Sequence, residues 1–184
     1  MTDDLPRFQA VQARPITEPA LVERMRKEAT TWINAVHMQF HRVESPLINP
    51  DDLGAEVWRQ EIDLHFFVAA IMRLRRAVVC ASAVNQLRSS LADLLDVFDR
   101  TVPSARLLRN VSEHFDDYAV GRGNDKKIKR SQLQVWSLGQ EDGQLIWRWL
   151  GEEVRLSAWH RAATTLYRGF LSDAGRYLAD RPID

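Results

Sequence analysis

The stretch "AEVWRQEIDLHFFVAAIMRLRRAVVCASAV", residues 55–84, decides the fold class. Its apolar residues return every three to four positions, as Ile62, Phe66 and Ala69–Ala70 do, which is the period of an α-helix. The apolar belt is broad, as in a helix that neighbours cover on several sides. The stretch therefore predicts a long central helix in a helical bundle.

Helical periodicity continues on both sides of this central helix. The first predicted helix covers residues 17–44, where Thr17 can cap the start and Pro19 suits the first turn. The third covers residues 85–100 and is either continuous with the central helix or separated from it near residues 82–85. These segments predict helices that pack against the central one.

The fourth predicted helix, "TVPSARLLRNVSEHFDDYAV", covers residues 101–120. Thr101 can cap it, and Gly121 and Gly123 end it because glycine readily adopts the left-handed conformation of helix ends. At about 100° per residue, the positions that gather on its buried face are Leu108, Val111, Phe115 and Tyr118. The spacing predicts one continuous helix.

The pattern changes in "LQVWSLGQEDGQLIWRWLG", residues 133–151, where apolar and polar residues alternate on both sides of a turn. The alternating segments flank Asp142-Gly143, a dipeptide typical of tight β-hairpin turns. The following "EEVRL", residues 152–156, is a candidate for a third short strand. Trp136, Trp147 and Trp149 cluster in this segment, and they either cover the bundle or form an exposed surface for a partner or a base.

The predicted fold is mainly α: a helical bundle of four to five helices with a small antiparallel β-hairpin inserted before the C-terminal helix. That last helix covers residues 157–179, with Ser157 as its cap. We expect a single domain over residues 1–184, in which 1–16 form an irregular arm and 132–156 form the hairpin elaboration.

Composition excludes some classes of partner and of stabilisation. The 25 basic and 25 acidic residues give zero formal net charge, so any attraction to nucleic acid must be local. Cys80 is the one cysteine, which excludes a disulfide framework, and we expect it to be a small buried apolar residue. The N-terminus does not resemble a signal peptide, and the patch at 66–70 is too short to span a bilayer. We expect a cytoplasmic protein that does not bind membranes.

The motif "RNVSEH", residues 109–114, is the strongest functional signal. On a continuous helix Arg109 points almost opposite to the buried face, while His114 lies at the edge of that face, about 140° around. Asn110 shares the side of His114. One helix does not aim the arginine and the histidine at one point, so a converging site needs a second surface, such as a symmetric partner.

These three residue types suit chemistry on a phosphate. Histidine titrates near neutrality and can give or take a proton, and arginine can bind phosphate oxygens with two hydrogen bonds. Asn110 can orient a ribose or the imidazole. In RNA the 2′-hydroxyl can attack the adjacent phosphate, so neither metal nor cofactor is needed. In the alternative interpretation Arg109 and Glu113 form an ordinary surface pair and His114 borders the core.

The motif resembles the R-N-x-x-x-H form of the arginine–histidine motif of the HEPN superfamily, whose members are small all-helical domains. Many are metal-independent ribonucleases of toxin–antitoxin and phage-defence systems. The resemblance covers residues 17–120 and implies that Arg109 and His114 are catalytic, with Asn110 as the accompanying polar residue. It also implies a homodimer with facing motifs, and an antitoxin or other protein partner. Some families carry a tyrosine two positions after the histidine, where this chain has Asp116.

A basic run, "GRGNDKKIKR" at residues 121–130, follows the motif. Its cations are Arg122, Lys126, Lys127, Lys129 and Arg130, against the single acid Asp125. The run predicts contacts with an RNA backbone beside the motif, or else a solvated loop. Asp116 and Asp117 would repel RNA unless they point away.

Two pairs of residues have metal-ligand spacing, the histidines His37 and His41 and the glutamate–histidine pair Glu61 and His65. No second cluster of ligands supports either pair, so we assign them to the surface or the core edge and expect no metal site. The leading hypothesis is a metal-independent endoribonuclease that cleaves RNA as a dimer. The alternatives are a non-catalytic helical module that binds a protein through the hairpin and its tryptophans, or a nucleotide-binding protein without turnover.

Overall fold

The computed structural model describes residues 16–45 and 53–181. The helices are α1 (Glu18–Glu44), α2 (Leu53–Ala81), α3 (Asn85–Thr101), α4 (Ala105–Glu113), α5 (Phe115–Ala119) and α6 (Leu156–Leu178). The strands, which follow a short 3₁₀ turn at Arg130–Gln132, are β1 (Trp136–Glu141), β2 (Gln144–Trp149) and β3 (Glu152–Arg155). The prediction of a mainly α bundle with a small antiparallel sheet before the last helix is confirmed. The predicted irregular arm lies outside the described residues, apart from Ile16.

The long helix α1 packs along α2 and α6. It begins where the sequence predicts, because Thr17 adopts an extended conformation and its hydroxyl accepts the amide of Ala20 at 3.4 Å. Its core-facing side includes Val22, Ile33 and Val36. In the described part of the chain, none of the helices has the length and apolar character needed to cross a membrane.

The central helix α2 packs against α1, α3, α4 and α6, as expected for the middle of the bundle. Its buried side is formed by Leu64, Phe67, Val68, Ile71 and Leu74. The expected place of Ile62 and Phe66 in the apolar belt is wrong, because they are 49% and 58% exposed. With Trp58, 68% exposed, they form an apolar row on the surface of α2, which we name the α2 stripe.

The helical conformation is interrupted between α2 and α3, so the two helices are separate. Ser82 leaves the helix and its hydroxyl donates to the carbonyl of Val79 at 2.8 Å. The prediction that Cys80 is buried is wrong, because its thiol is free and exposed. Its neighbours Val78 and Ala81 face the core, which turns position 80 toward solvent.

The three strands form one antiparallel sheet in the order β1-β2-β3, so both the hairpin and the third strand are confirmed. The turn uses positive φ at Asp142 and Gly143. Trp147 and Trp149 are buried and stack on each other with ring centroids 5.5 Å apart. Both rings meet His65 of α2 edge-on, so these two tryptophans cover the bundle and offer no stacking surface.

Two predicted helix caps are wrong. Thr101 is the last residue of α3 rather than the cap of α4, which begins after Ser104 without a side-chain bond. Ser157 lies in the first turn of α6, because β3 runs directly into that helix and leaves Arg155 at the cap position. In both cases the path of the preceding element sets the helix start.

Polar side chains join the helices at two inner positions. Asp63 of α2 is almost fully buried and accepts Arg42 Nε of α1 at 2.9 Å and Arg59 Nη1 at 3.4 Å. His37 of α1 and His160 of α6 form a ring-to-ring hydrogen bond of 2.6 Å between Nδ1 and Nε2. These contacts connect α1 to its two neighbours, α2 and α6.

Candidate functional site

The predicted fourth helix is broken at its functional end. Leu108 and Val111 are fully buried and hold α4 against α2, as predicted. At His114 the backbone leaves the helical region, with φ −119° and ψ 33°, and α5 begins at the next residue. The break makes the prediction of one continuous helix over residues 101–120 wrong.

The break also changes which side chains reach the core. Phe115, expected on the buried face, is 40% exposed, whereas Tyr118 is buried as predicted. His114 was expected at the core edge, but its side chain is 53% exposed. Its Nδ1 lies 3.9 Å from the Asp117 carboxylate, too far for a hydrogen bond. The imidazole is therefore open to a ligand, with an acidic neighbour that the sequence interpretation had counted against RNA.

Arg109 forms an ion pair with Glu113 one turn later, as the alternative interpretation of the motif anticipated. Both side chains remain about one-third exposed. In the part of the chain that the structure describes, no hydrogen bond or ion pair joins the side chains of Arg109 and His114. A phosphate that binds Arg109 must therefore displace Glu113 or share the guanidinium with it.

Asn110 has a structural contact that the motif alone does not reveal. Its Nδ2 donates to the hydroxyl of Tyr118 at 3.0 Å, and the same hydroxyl accepts the backbone amide of Asp125 at 3.1 Å. The phenol thus links the motif helix to the basic run. The sequence signal for this link is a tyrosine eight residues after the asparagine, and only the break at His114 explains how the two side chains meet.

The basic run is an ordered loop with its cations on the surface. The backbone amide of Arg122 donates to the Asp117 carbonyl of α5 at 2.7 Å, and within the loop the Asp125 carboxylate accepts the Lys127 amide at 2.9 Å. Among the described residues, no carboxylate pairs with the side chain of Arg122, Lys126, Lys127, Lys129 or Arg130. Lys126 Nζ donates instead to the carbonyl of Gly123 at 2.8 Å. The structure therefore brings an exposed positive loop next to the motif.

Gly123 allows this loop to lie against Tyr118. It is buried, and a Cβ built on it would overlap the tyrosine ring. Gly123 was expected to end a helix. In the fold, its lack of a side chain instead lets the backbone lie close to the Tyr118 ring. We expect this close contact to fix the distance between the basic loop and the motif.

Replacing Gly123 by alanine is expected to lower the free energy of unfolding by about 1–3 kcal/mol, because the new methyl group overpacks the Tyr118 ring. Amide exchange is expected to speed up at Asp125, whose amide donates to that ring's hydroxyl. Urea unfolding measures the free energy of unfolding, and hydrogen exchange measures the exchange rate of the Asp125 amide. The matched control is Gly139→Ala on β1, where a Cβ meets nothing within 4 Å. Equal effects of the two substitutions would contradict the packing role.

The two pairs with metal-ligand spacing have other contacts in the structure. Over the described ranges, no group of three or more histidine, cysteine, aspartate or glutamate side chains is placed to hold a metal ion. His37 bonds His160, while His65 lies 4.0 Å from Glu61 and packs on the tryptophans. Burial lowers the pKa of His65 to about 4. Burial, then the neighbouring His37, lowers the pKa of His160 to about 4.

The fold and the site together define a helical protein with an exposed arginine and histidine beside an ordered basic loop. Comparison of the chain with protein-family models, with curated proteins and with solved structures finds no match. The motif and the geometry around it are therefore the features of the chain that point to a function.

Proposed function

We propose that this chain is a metal-independent endoribonuclease of the HEPN type that acts as a homodimer. The observation that supports it best is the position of His114, exposed at the α4–α5 break next to Arg109 and the basic loop. Within one short segment the chain thus carries a proton-transfer group, a phosphate-binding cation and a backbone-binding loop, and the second copy supplies the surface on which they converge.

The chemistry of such a site balances without a metal. The ribose 2′-hydroxyl oxygen attacks the adjacent phosphorus as its proton passes to His114. The bond to the 5′-oxygen breaks, and this oxygen receives a proton from the histidine of the second copy. The products are a 2′,3′-cyclic phosphate and a 5′-hydroxyl. Arg109 stabilises the negative charge on the phosphate oxygens, after RNA has displaced Glu113.

Asn110, Arg122, Lys126, Lys127, Lys129 and Arg130 have supporting roles in this proposal. Asn110 positions Tyr118 and, through it, the basic loop. The five cations bind the phosphate backbone on either side of the cleaved bond.

The α2 stripe supports the second copy. Trp58 and Phe66 lie four residues on either side of Ile62, so the stripe is nearly symmetric about its centre. Two stripes that cross antiparallel at Ile62 would place each tryptophan opposite a phenylalanine, as a two-fold interface requires. Three large apolar side chains exposed next to one another on one helix are typical of an interaction surface.

A toxin or phage-defence role, with an antitoxin or other protein as partner, belongs to the same proposal and follows from the motif's resemblance. We also propose that the protein acts in the cytoplasm, where the free thiol of Cys80 would stay reduced.

Cleavage of varied RNAs in the presence of EDTA tests the function. We expect His114→Ala to lose at least about 100-fold in rate, because general acid–base catalysis contributes roughly that much or more. Arg109→Ala is expected to lose activity to a similar degree. The matched controls are His41→Ala and Arg100→Ala, which alter an exposed histidine and an exposed helical ion pair elsewhere.

Three results would overturn the proposal. The first is a folded wild-type protein that cuts none of the RNAs. The second is equal activity of wild type and both site variants. The third is a protein that sedimentation velocity shows to be monomeric while it cleaves. Without cleavage, the exposed α2 stripe favours the protein-interaction module, with that stripe in place of the buried Trp147 and Trp149.

A further inference from the structure

A groove of about 500 Å³ opens beside the motif, between α5 and the chain that follows the basic loop. Its lining consists of Phe115, Ala119, Arg130, Ser131, Leu133 and Gln134. Phe115 directly follows His114 in the chain and leaves 40% of its surface uncovered. Leu133 is buried at the base of the groove. The feature is thus an open, partly aromatic recess next to the proposed catalytic histidine.

The lining has the chemistry that an unpaired nucleobase needs. The exposed ring of Phe115 offers a stacking face, and the Ser131 hydroxyl and Gln134 amide offer donors and acceptors for a base edge. Within the described ranges, neither of these two side chains forms a hydrogen bond with the protein. They are therefore available to a ligand.

Charge favours an anionic occupant. No carboxylate lines the groove, and Arg130 stands at its margin as the last cation of the basic run. Arg130 is the loop cation that lines the groove together with Phe115, and the other four cations precede it in the same exposed loop. A polyanion whose units each carry a flat ring and a phosphate matches this arrangement.

We propose that the groove binds an unpaired base of single-stranded RNA next to the cleaved phosphate, an inference that rests on the proposed ribonuclease function. Phe115 stacks on the base, Ser131 and Gln134 contact its edge, and Arg130 binds the following phosphate. The groove would set a preference for unstructured RNA, because a paired base cannot enter it.

The test measures RNA affinity in a His114→Ala background, so that cleavage does not interfere. The ligands are a short unstructured RNA and the same backbone with abasic sugars. We expect Phe115→Leu to weaken binding of the first by about tenfold, because a base stacks poorly on leucine, and to leave abasic binding unchanged. Val120→Ala alters another exposed apolar residue before the same loop and is expected to change neither affinity.

The outcomes separate the groove from the ribonuclease activity. The groove proposal is overturned if Phe115→Leu leaves the affinity of the His114→Ala protein for both RNAs unchanged, or lowers the affinity for both equally. It is also overturned if the His114→Ala protein binds a protein fragment at this groove and no RNA. If wild type cuts no RNA while binding depends on the base and on Phe115, the groove proposal stands and the ribonuclease function fails.

Discussion

Replacing Asp63 by alanine is expected to lower the free energy of unfolding by about 3–5 kcal/mol. Asp63 is 1% exposed and binds Arg42 of α1 and Arg59 of α2. Arg59 is itself largely buried and donates to the Glu56 carboxylate and to the Arg42 carbonyl. Removal of Asp63 takes one of two carboxylates from the largely buried Arg59 and breaks the ion pair that joins Arg42 of α1 to α2.

Chemical denaturation of wild type and variant measures the loss. The matched control is Asp96→Ala on α3, which removes an exposed partner of Arg100 at the same i, i+4 spacing. A surface pair of this kind contributes at most about 1 kcal/mol. Asp63→Asn keeps the side-chain shape and provides a second variant if the alanine protein does not fold. A loss at Asp63 no larger than at Asp96 would contradict the buried network.

Acidification is expected to destabilise the fold through three histidines that burial keeps from gaining a proton. The pKa values of His65 and His160 are lowered to about 4, for both chiefly by burial. The pKa of His37 is lowered too, by burial and then by His41 and Arg168. His37 and His160 share one hydrogen bond of 2.6 Å, so neither ring can gain a proton without placing charge against its neighbours, which include Arg161.

The sign of the pH dependence follows from these lowered values. Above pH 6.5 both folded and unfolded chains hold these rings neutral, and the full stability is present. Between pH 6.5 and about pH 4, these histidines bind protons in the unfolded chain but not in the folded chain, so the free energy of unfolding falls as the pH falls. Each of His65 and His160 then contributes a loss of at most about 1.4 kcal/mol per pH unit. Unfolding curves between pH 7 and pH 4 measure it.

Single and double glutamine variants of His65 and His160 isolate this effect from the titration of carboxylates. Glutamine cannot take a proton, so each substitution is expected to flatten the pH profile even where it lowers stability overall. The comparison therefore uses slopes rather than absolute stabilities. Variants that keep the wild-type slope would contradict the assignment to these two histidines.

Local sequence predicted most of the architecture because helices and hairpins are specified at short range. The period of residues 17–44 and 55–84, the Thr17 cap and the Asp142-Gly143 turn all depend on neighbours a few positions away. The candidate site was visible for the same reason, since Arg109 and His114 lie within one short motif.

The exposure of individual side chains could not be predicted in the same way. Ile62 and Phe66 fit a helical belt as well as any buried pair, but which face of α2 is covered depends on the helices packed around it. Cys80 is exposed for the same reason. Periodicity defines a face, whereas neighbours decide whether that face meets protein or water.

The sequence by itself determined the helical class, the place of the hairpin and the residues of the motif. Only the tertiary structure decided that the motif helix ends at His114, that Phe115 faces a groove, and that Gly123 and Asn110 hold the basic loop through Tyr118. The physical reason is the distance along the chain between the residues that determine each feature. A helical period is set within one turn, whereas the break, the groove and the buried pairs arise from contacts between segments that meet only after folding.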